Sequence, residues 1–82
     1  MSTMGTCVEA KLDWERFGEF VAKQRKRLGM TQLQLAIEMG KKQPDISCIE
    51  RGETESTVET IARLAEALQT EPLILFAAIL KK

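Results

Sequence analysis

The side chains able to carry chemistry are few. The 82-residue chain has no His and no Tyr, two Cys, 12 Asp+Glu and 12 Lys+Arg. Without His, the commonest general base and metal ligand is missing. Cys7 and Cys48 lie 41 positions apart, which is no zinc spacing, and two thiolates alone cannot close a tetrahedral site. A disulfide between them is arithmetically open. Yet Cys7 falls in an aperiodic stretch, and the first dozen residues lack the basic start and long apolar run of a secretory signal. The expectation is a reduced, cytoplasmic chain with no metal and no cofactor. Closely spaced acids such as Asp13/Glu15 and Glu53/Glu55 could suggest acid–base work, but on a surface this charged they read as solvated faces. An enzyme is not expected.

What remains is charge and its placement. The formal net charge is zero, which taken alone discourages a phosphate-rich partner. Position reverses that reading. From Lys23 to Gly52 there are seven basic residues (Lys23, Arg25, Lys26, Arg27, Lys41, Lys42, Arg51) and three acidic ones (Glu38, Asp45, Glu50), a net of +4. The segments on either side carry −2 each, four acids against two bases before it and five against three after it. A dipolar chain of this kind orients on a polyanion while limiting attraction to any random stretch of it.

The elements that must position those charges are short. A chain of this length buries only about 60–65% of its unfolded surface, which permits one small core. Residues 1–12 show no periodicity and read as a flexible N-terminal tail, with 13–82 as one domain. Asp13 is a good N-cap for a helix carrying Trp14, Phe17, Val21 and Leu28 at helical spacing, closed by Gly29. Thr31 caps a second helix over Gln32–Met39 that turns Leu35, Ala36 and Met39 inward, and Gly40 closes it. Pro44 is tolerated in the first turn of a third helix, which places Ile46 and Ile49 inward and ends near Gly52. Thr57 caps a fourth, with Val58, Ile61, Ala62, Leu64, Ala65 and Leu68 on a wide apolar face, and Pro72 opens a fifth running to about Leu80. No stretch alternates with period two, so the fold class is all-α, with five short helices.

The second and third helices, joined by Gly40-Lys41-Lys42, have the make-up of a helix-turn-helix: small Ala36 at the crossing and a glycine free to take positive φ in the turn. Gln43, Pro44, Asp45, Ser47 and Cys48 then face outward. The apolar run Leu73–Leu80 is too short for the roughly 20 residues of a membrane span. It is nonetheless richer than a small core needs. A helix apolar nearly all round is buried on more than one side, so Leu73, Ile74, Ala77, Ile79 and Leu80 are read as a homodimer interface within about 71–80. The duller alternative is a helix docked only on its own core.

The ordered set Arg25, Leu28-Gly29-Met30-Thr31-Gln32, Leu35-Ala36, Gly40, Gln43-Pro44, Ile46-Ser47, Ile49-Glu50-Arg51-Gly52, Val58-Glu59-Thr60 and Leu75-Phe76 resembles the Cro and phage-repressor type of helix-turn-helix regulator. The resemblance covers roughly residues 17–76. It implies a lambda-repressor-like domain that binds palindromic double-stranded DNA as a homodimer and acts as a repressor or autoregulator. By the same resemblance Gln43 is the main base reader, able to hold adenine N6/N7, with Pro44, Asp45, Ser47 and Cys48 beside it. Gln32, Arg25, Lys41, Lys42 and Arg51 would meet phosphates, and Arg25 and Glu50 would form a partly buried ion pair. Competing readings stay open. Asp45 can simply cap its own helix, the two lysines can be solvated, and Cys48 can be a packed small side chain.

Two departures from the family pattern stand out. The loop Glu53-Thr54-Glu55 is acidic where phosphate contacts are usual, and Leu33 and Ile37 are apolar at positions usually polar. The latter leave a second functional class in play, a protein-interaction module such as an antitoxin or adaptor using helix 2 or helix 5. No small-molecule effector is expected in so small a chain.

Overall fold

A computed structural model describes residues 12–80 of the chain. Among these residues there are five α-helices and no named strand: α1 (Trp14–Arg27), α2 (Gln32–Met39), α3 (Gln43–Arg51), α4 (Val58–Ala67) and α5 (Pro72–Ile79). The proposed tail residues 1–11, with Cys7 among them, and residues 81–82 lie outside the described residues. Leu12, read with the tail, pairs instead with Leu80 in an isolated antiparallel bridge. Beside it the Asp13 N–H donates to the Ile79 carbonyl at 2.6 Å.

Three of the five helices start where a polar side chain takes up an orphan N–H, while α3 and α5 open on a proline in the first turn. Asp13 Oδ1 accepts from the Arg16 N–H at 2.9 Å, opening α1. At α2 the capping is reciprocal: Gln34 N–H donates to Thr31 Oγ1 (3.0 Å) and Thr31 N–H to Gln34 Oε1 (2.7 Å). Thr57 Oγ1 accepts from Thr60 N–H at 3.2 Å to open α4. The α2–α3 turn depends on Gly40, whose φ of 66° lies in the left-handed region that a Cβ penalises.

The core is one cluster in which Phe17 and Val21 of α1 meet Leu35 and Ala36 of α2, Ile46 and Ile49 of α3, Leu64 and Ala65 of α4, and Leu75 of α5. Trp14 stands edge-on to Phe17, with ring centroids 5.3 Å apart. Gly18 sets how closely α1 meets the end of α3: a Cβ there would come within 2.5 Å of the Glu50 carbonyl oxygen. The helical periodicity of the sequence passes over this position, because a glycine adds nothing to an apolar stripe.

Three expectations are corrected. Ile79, assigned to a subunit interface, is only 4% exposed and belongs to the single-chain core. It lies one turn after Leu75 on the buried face of α5, and its carbonyl accepts from the Asp13 N–H at the start of α1. Val58 and Ala62, placed on the inner face of α4, are exposed, and that helix buries only Ile61, Leu64 and Ala65. Leu28 at the end of α1 is likewise at the surface.

Candidate nucleic-acid interface

Helix α3 separates its chemistry by face. Gln43, Ser47 and Arg51 follow one another at i, i+4 spacing, with Pro44 and Cys48 alongside, so five polar or small residues share one stripe. Together with Gln32 from the first turn of α2 they line one shallow open groove of about 380 Å³. The opposite face of α3 delivers Ile46 and Ile49 to the core. The groove therefore has a rigid floor, a helix held from behind by buried apolar contacts.

At the back of the groove lies a second anchor. Arg25 Nε and Nη2 donate to the two carboxylate oxygens of Glu50 at 2.6 and 3.1 Å, a bidentate pair whose side chains are 9% and 7% exposed. Arg25 Nη1 donates to the Met30 carbonyl at 2.7 Å, and Gln32 Nε2 donates to Glu50 Oε1 at 2.9 Å. One carboxylate thus joins the end of α1, the start of α2 and the last turn of α3. The arrangement satisfies charges that burial would otherwise make costly. It also fixes the Gln32 side chain, which lines the groove.

The Arg25–Glu50 ion pair implied by the resemblance is thus present, and the same contacts leave little of Arg25 for the phosphate role also implied. The residue is buried, and three of its five N–H groups are spent on Glu50 and Met30. Lys41 and Lys42 sit in the turn that precedes α3, outside the groove lining. The Lys41 N–H returns to the Ala36 carbonyl at 2.8 Å, and Lys42 is the residue that precedes the first turn of α3. Asp45 is exposed and accepts from the Lys42 N–H at a long 3.4 Å, which complements the positive end of the helix.

One contact, between two residues already singled out, escaped sequence reasoning. Arg51 Nε and Nη2 donate to Glu53 at 2.9 and 3.1 Å, its Nη1 donates to Ser47 Oγ, and Nη2 lies 3.8 Å from Cys48 Sγ. The guanidinium fork holds the Glu53 carboxyl below its ordinary range, and Glu53 raises Arg51 in return. The only signal in the sequence was an acid two residues after the arginine, in a loop already marked as unusually acidic.

Elsewhere, Leu73, Ile74, Ala77 and Leu80 remain exposed on α5. Of these, Leu80 lines an apolar groove of about 240 Å³ together with Leu12, Trp14, Val58 and Phe76 among others. Leu33 and Ile37 are exposed on α2. Among the described residues no helix is long and apolar enough to cross a membrane, and no cluster of three or more His, Cys, Asp or Glu side chains could hold a metal.

Comparison with known proteins places this geometry. A helix-turn-helix family model matches residues 21–75. Among solved structures, the restriction-modification controller protein C.AhdI from Aeromonas hydrophila is similar at 33% identity and a TM-score of 0.74, over 78% of this chain and 93% of that one. The P22 c2 repressor, solved in complex with a synthetic operator, is 37% identical over 72% of this chain and 89% of its own, with a TM-score of 0.68. Hydroxypropylphosphonic acid epoxidase from S. wedmorenis is 27% identical with a TM-score of 0.73, but the match spans only 35% of that enzyme's chain. A search of curated proteins returned no match.

Proposed function

The chain belongs to the helix-turn-helix family, and from that premise we propose that it is a sequence-specific DNA-binding transcriptional regulator, a repressor or autoregulator that occupies a palindromic operator as a homodimer. The observation that carries the reading is the groove on α3, where Gln32, Gln43, Pro44, Ser47, Cys48 and Arg51 converge on a surface backed by the core and by the Arg25–Glu50 pair. Supporting it, two of the similar structures are a restriction-modification controller and a repressor bound to operator DNA. The epoxidase likeness is confined to about a third of that enzyme, and none of its chemistry is proposed for this chain.

In this mechanism α3 enters the major groove. Gln43, in the first turn of the helix, presents its amide to adenine N6/N7, and Pro44 offers apolar surface to a thymine methyl. Ser47 and Cys48 lie one turn further along the same face, and Asp45, which accepts from the Lys42 N–H, would also accept from cytosine N4. Gln32 and the free N–H groups at the start of α2 meet one phosphate, as helix N-termini do. Lys41, Lys42 and Arg51 supply the remaining positive charge. Duplex selection from a random pool tests the reading. Wild type should enrich one inverted repeat, and Gln43→Ala should relax a single position in each half-site by about 1–3 kcal/mol. Recovery of no common sequence would defeat it.

The second copy is proposed to dock on α5. Leu73 is 77% exposed, and Ile74, Ala77 and Leu80 extend the same apolar surface. Two subunits arranged about a two-fold axis would set their α3 helices about 34 Å apart, one turn of DNA. Leu73→Asp should halve the mass in sedimentation and weaken operator binding. An unchanged dimer would exclude this face.

A further inference from the structure

We propose that Glu53 is an internal competitor for DNA phosphate: it holds the Arg51 guanidinium in the groove of the free protein, and DNA must displace it. The inference rests on the DNA-binding reading and assigns a selectivity role to a residue outside the groove. Arg51 is the last member of the Gln43–Ser47–Arg51 stripe and its only full positive charge. Its fork is closed on both oxygens of one carboxylate, Nε to Oε2 at 2.9 Å and Nη2 to Oε1 at 3.1 Å, while Nη1 is taken by Ser47. A phosphate needs that same fork, because bidentate recognition is what arginine offers over lysine.

The exchange is possible because both side chains are about half exposed, 55% each, so solvent can help separate them. It carries a cost on either side. A phosphate that takes the fork leaves the Glu53 carboxylate beside the DNA backbone, and the freed anion repels it. Random DNA, which offers little beyond phosphates, therefore gains less from Arg51 than an operator whose bases also engage Gln43. The Ser47 hydroxyl is tied to the same guanidinium, so displacement of Glu53 also loosens the hold on a neighbour in the base-facing stripe. On this reading the acidic loop is a filter against phosphate alone.

The test is Glu53→Gln in the full-length protein, titrated with a random-sequence duplex about two helical turns long over a range of salt concentrations. Freeing Arg51 for one more phosphate should tighten binding about fivefold to tenfold at low salt and steepen the slope of log K against log[salt] by about 0.9. The same substitution in an Arg51→Ala background should leave that slope unchanged and alter affinity less than about twofold. An equal gain in both backgrounds would mean that Glu53 acts only through the general field, and would overturn the competitor role. No gain in either would overturn it as well. A wild-type protein that binds neither random nor selected duplex defeats the DNA-binding reading itself, an outcome distinct from duplex binding that Glu53→Gln leaves unaltered. Circular dichroism of all the variants checks that the fold is retained.

Discussion

Glu50 and Arg51 are consecutive residues of α3, and each is half of an arginine–glutamate pair, but the two pairs do opposite work. Arg25–Glu50 is nearly sealed from solvent, bidentate, and joined by Gln32 and the Met30 carbonyl. Arg51–Glu53 has similar distances but stands half in water, on the face that carries Gln43 and Ser47. A helix turns 100° per residue, so adjacent positions necessarily lie on different faces. Here one face is structural cement and the other is an exchangeable contact. The same chemistry becomes fixed or labile according to how much water it keeps.

The largest effect that could break this contrast lies on the inner face. Arg25→Met leaves the Glu50 carboxylate buried without its cation and should cost about 3–5 kcal/mol of unfolding free energy, read from urea or thermal denaturation. Arg51→Ala, by contrast, should leave the denaturation midpoint within experimental scatter. If both variants melt alike, the inner and outer pairs are equivalent and the contrast fails. A smaller effect is expected at Gly18, whose closeness to the Glu50 carbonyl leaves no room for a methyl group. Gly18→Ala should cost about 1–3 kcal/mol through the displacement of α1 from α3, and should weaken DNA binding only in step with that loss. A binding defect without a stability defect would show that the inner face does more than hold the helix.

The smallest effect is one of pH. Glu53 is held below its ordinary value of 4.5, first by its hydrogen bonds to Arg51 and then by the arginine's charge. A carboxyl lowered in the folded state stabilises above the ordinary range, and the contribution is lost as pH falls through the lowered value. For a solvated pair that contribution is small, so the clean readout is the side-chain carboxyl resonance. It should titrate at lower pH in wild type than in Arg51→Ala. Identical titrations would dissolve the outer pair in solution.

Much of the fold was legible because its punctuation is chemical. Thr31, Thr57 and Asp13 accept the orphan N–H groups the sequence assigned to them, and Gly40 ends α2 in the left-handed region as expected. These are local signals, decided within four residues. The misplacements are of another kind. Val58 and Ala62 were assigned a face from apolar periodicity, which gives an angle around a helix but not what lies at that angle, and Ile79 was assigned from an excess of apolar residues, which gives no angle at all. The Leu12–Leu80 bridge beside Ile79 joins residues at opposite ends of the domain. The Arg25–Glu50 pair stands where the resemblance implied it, and it is the depth of its burial that leaves little of Arg25 for the phosphate contact also implied. The outward stripe Gln43–Ser47 was readable from α3 alone; the closure of Arg51 on Glu53 was not, because it depends on a loop whose path no period describes.

That bridge also decides how the domain would yield to mechanical load. The chain enters at Leu12 and leaves at Leu80 side by side, in antiparallel pairing, with the Asp13 N–H to Ile79 carbonyl bond next in line. Tension applied through the two ends would therefore peel these contacts one after another, as a zipper opens, where a shearing geometry would load them together. The first element to come away would be the end of α5, and α3 would be released only after the seam between α1 and α5 had parted.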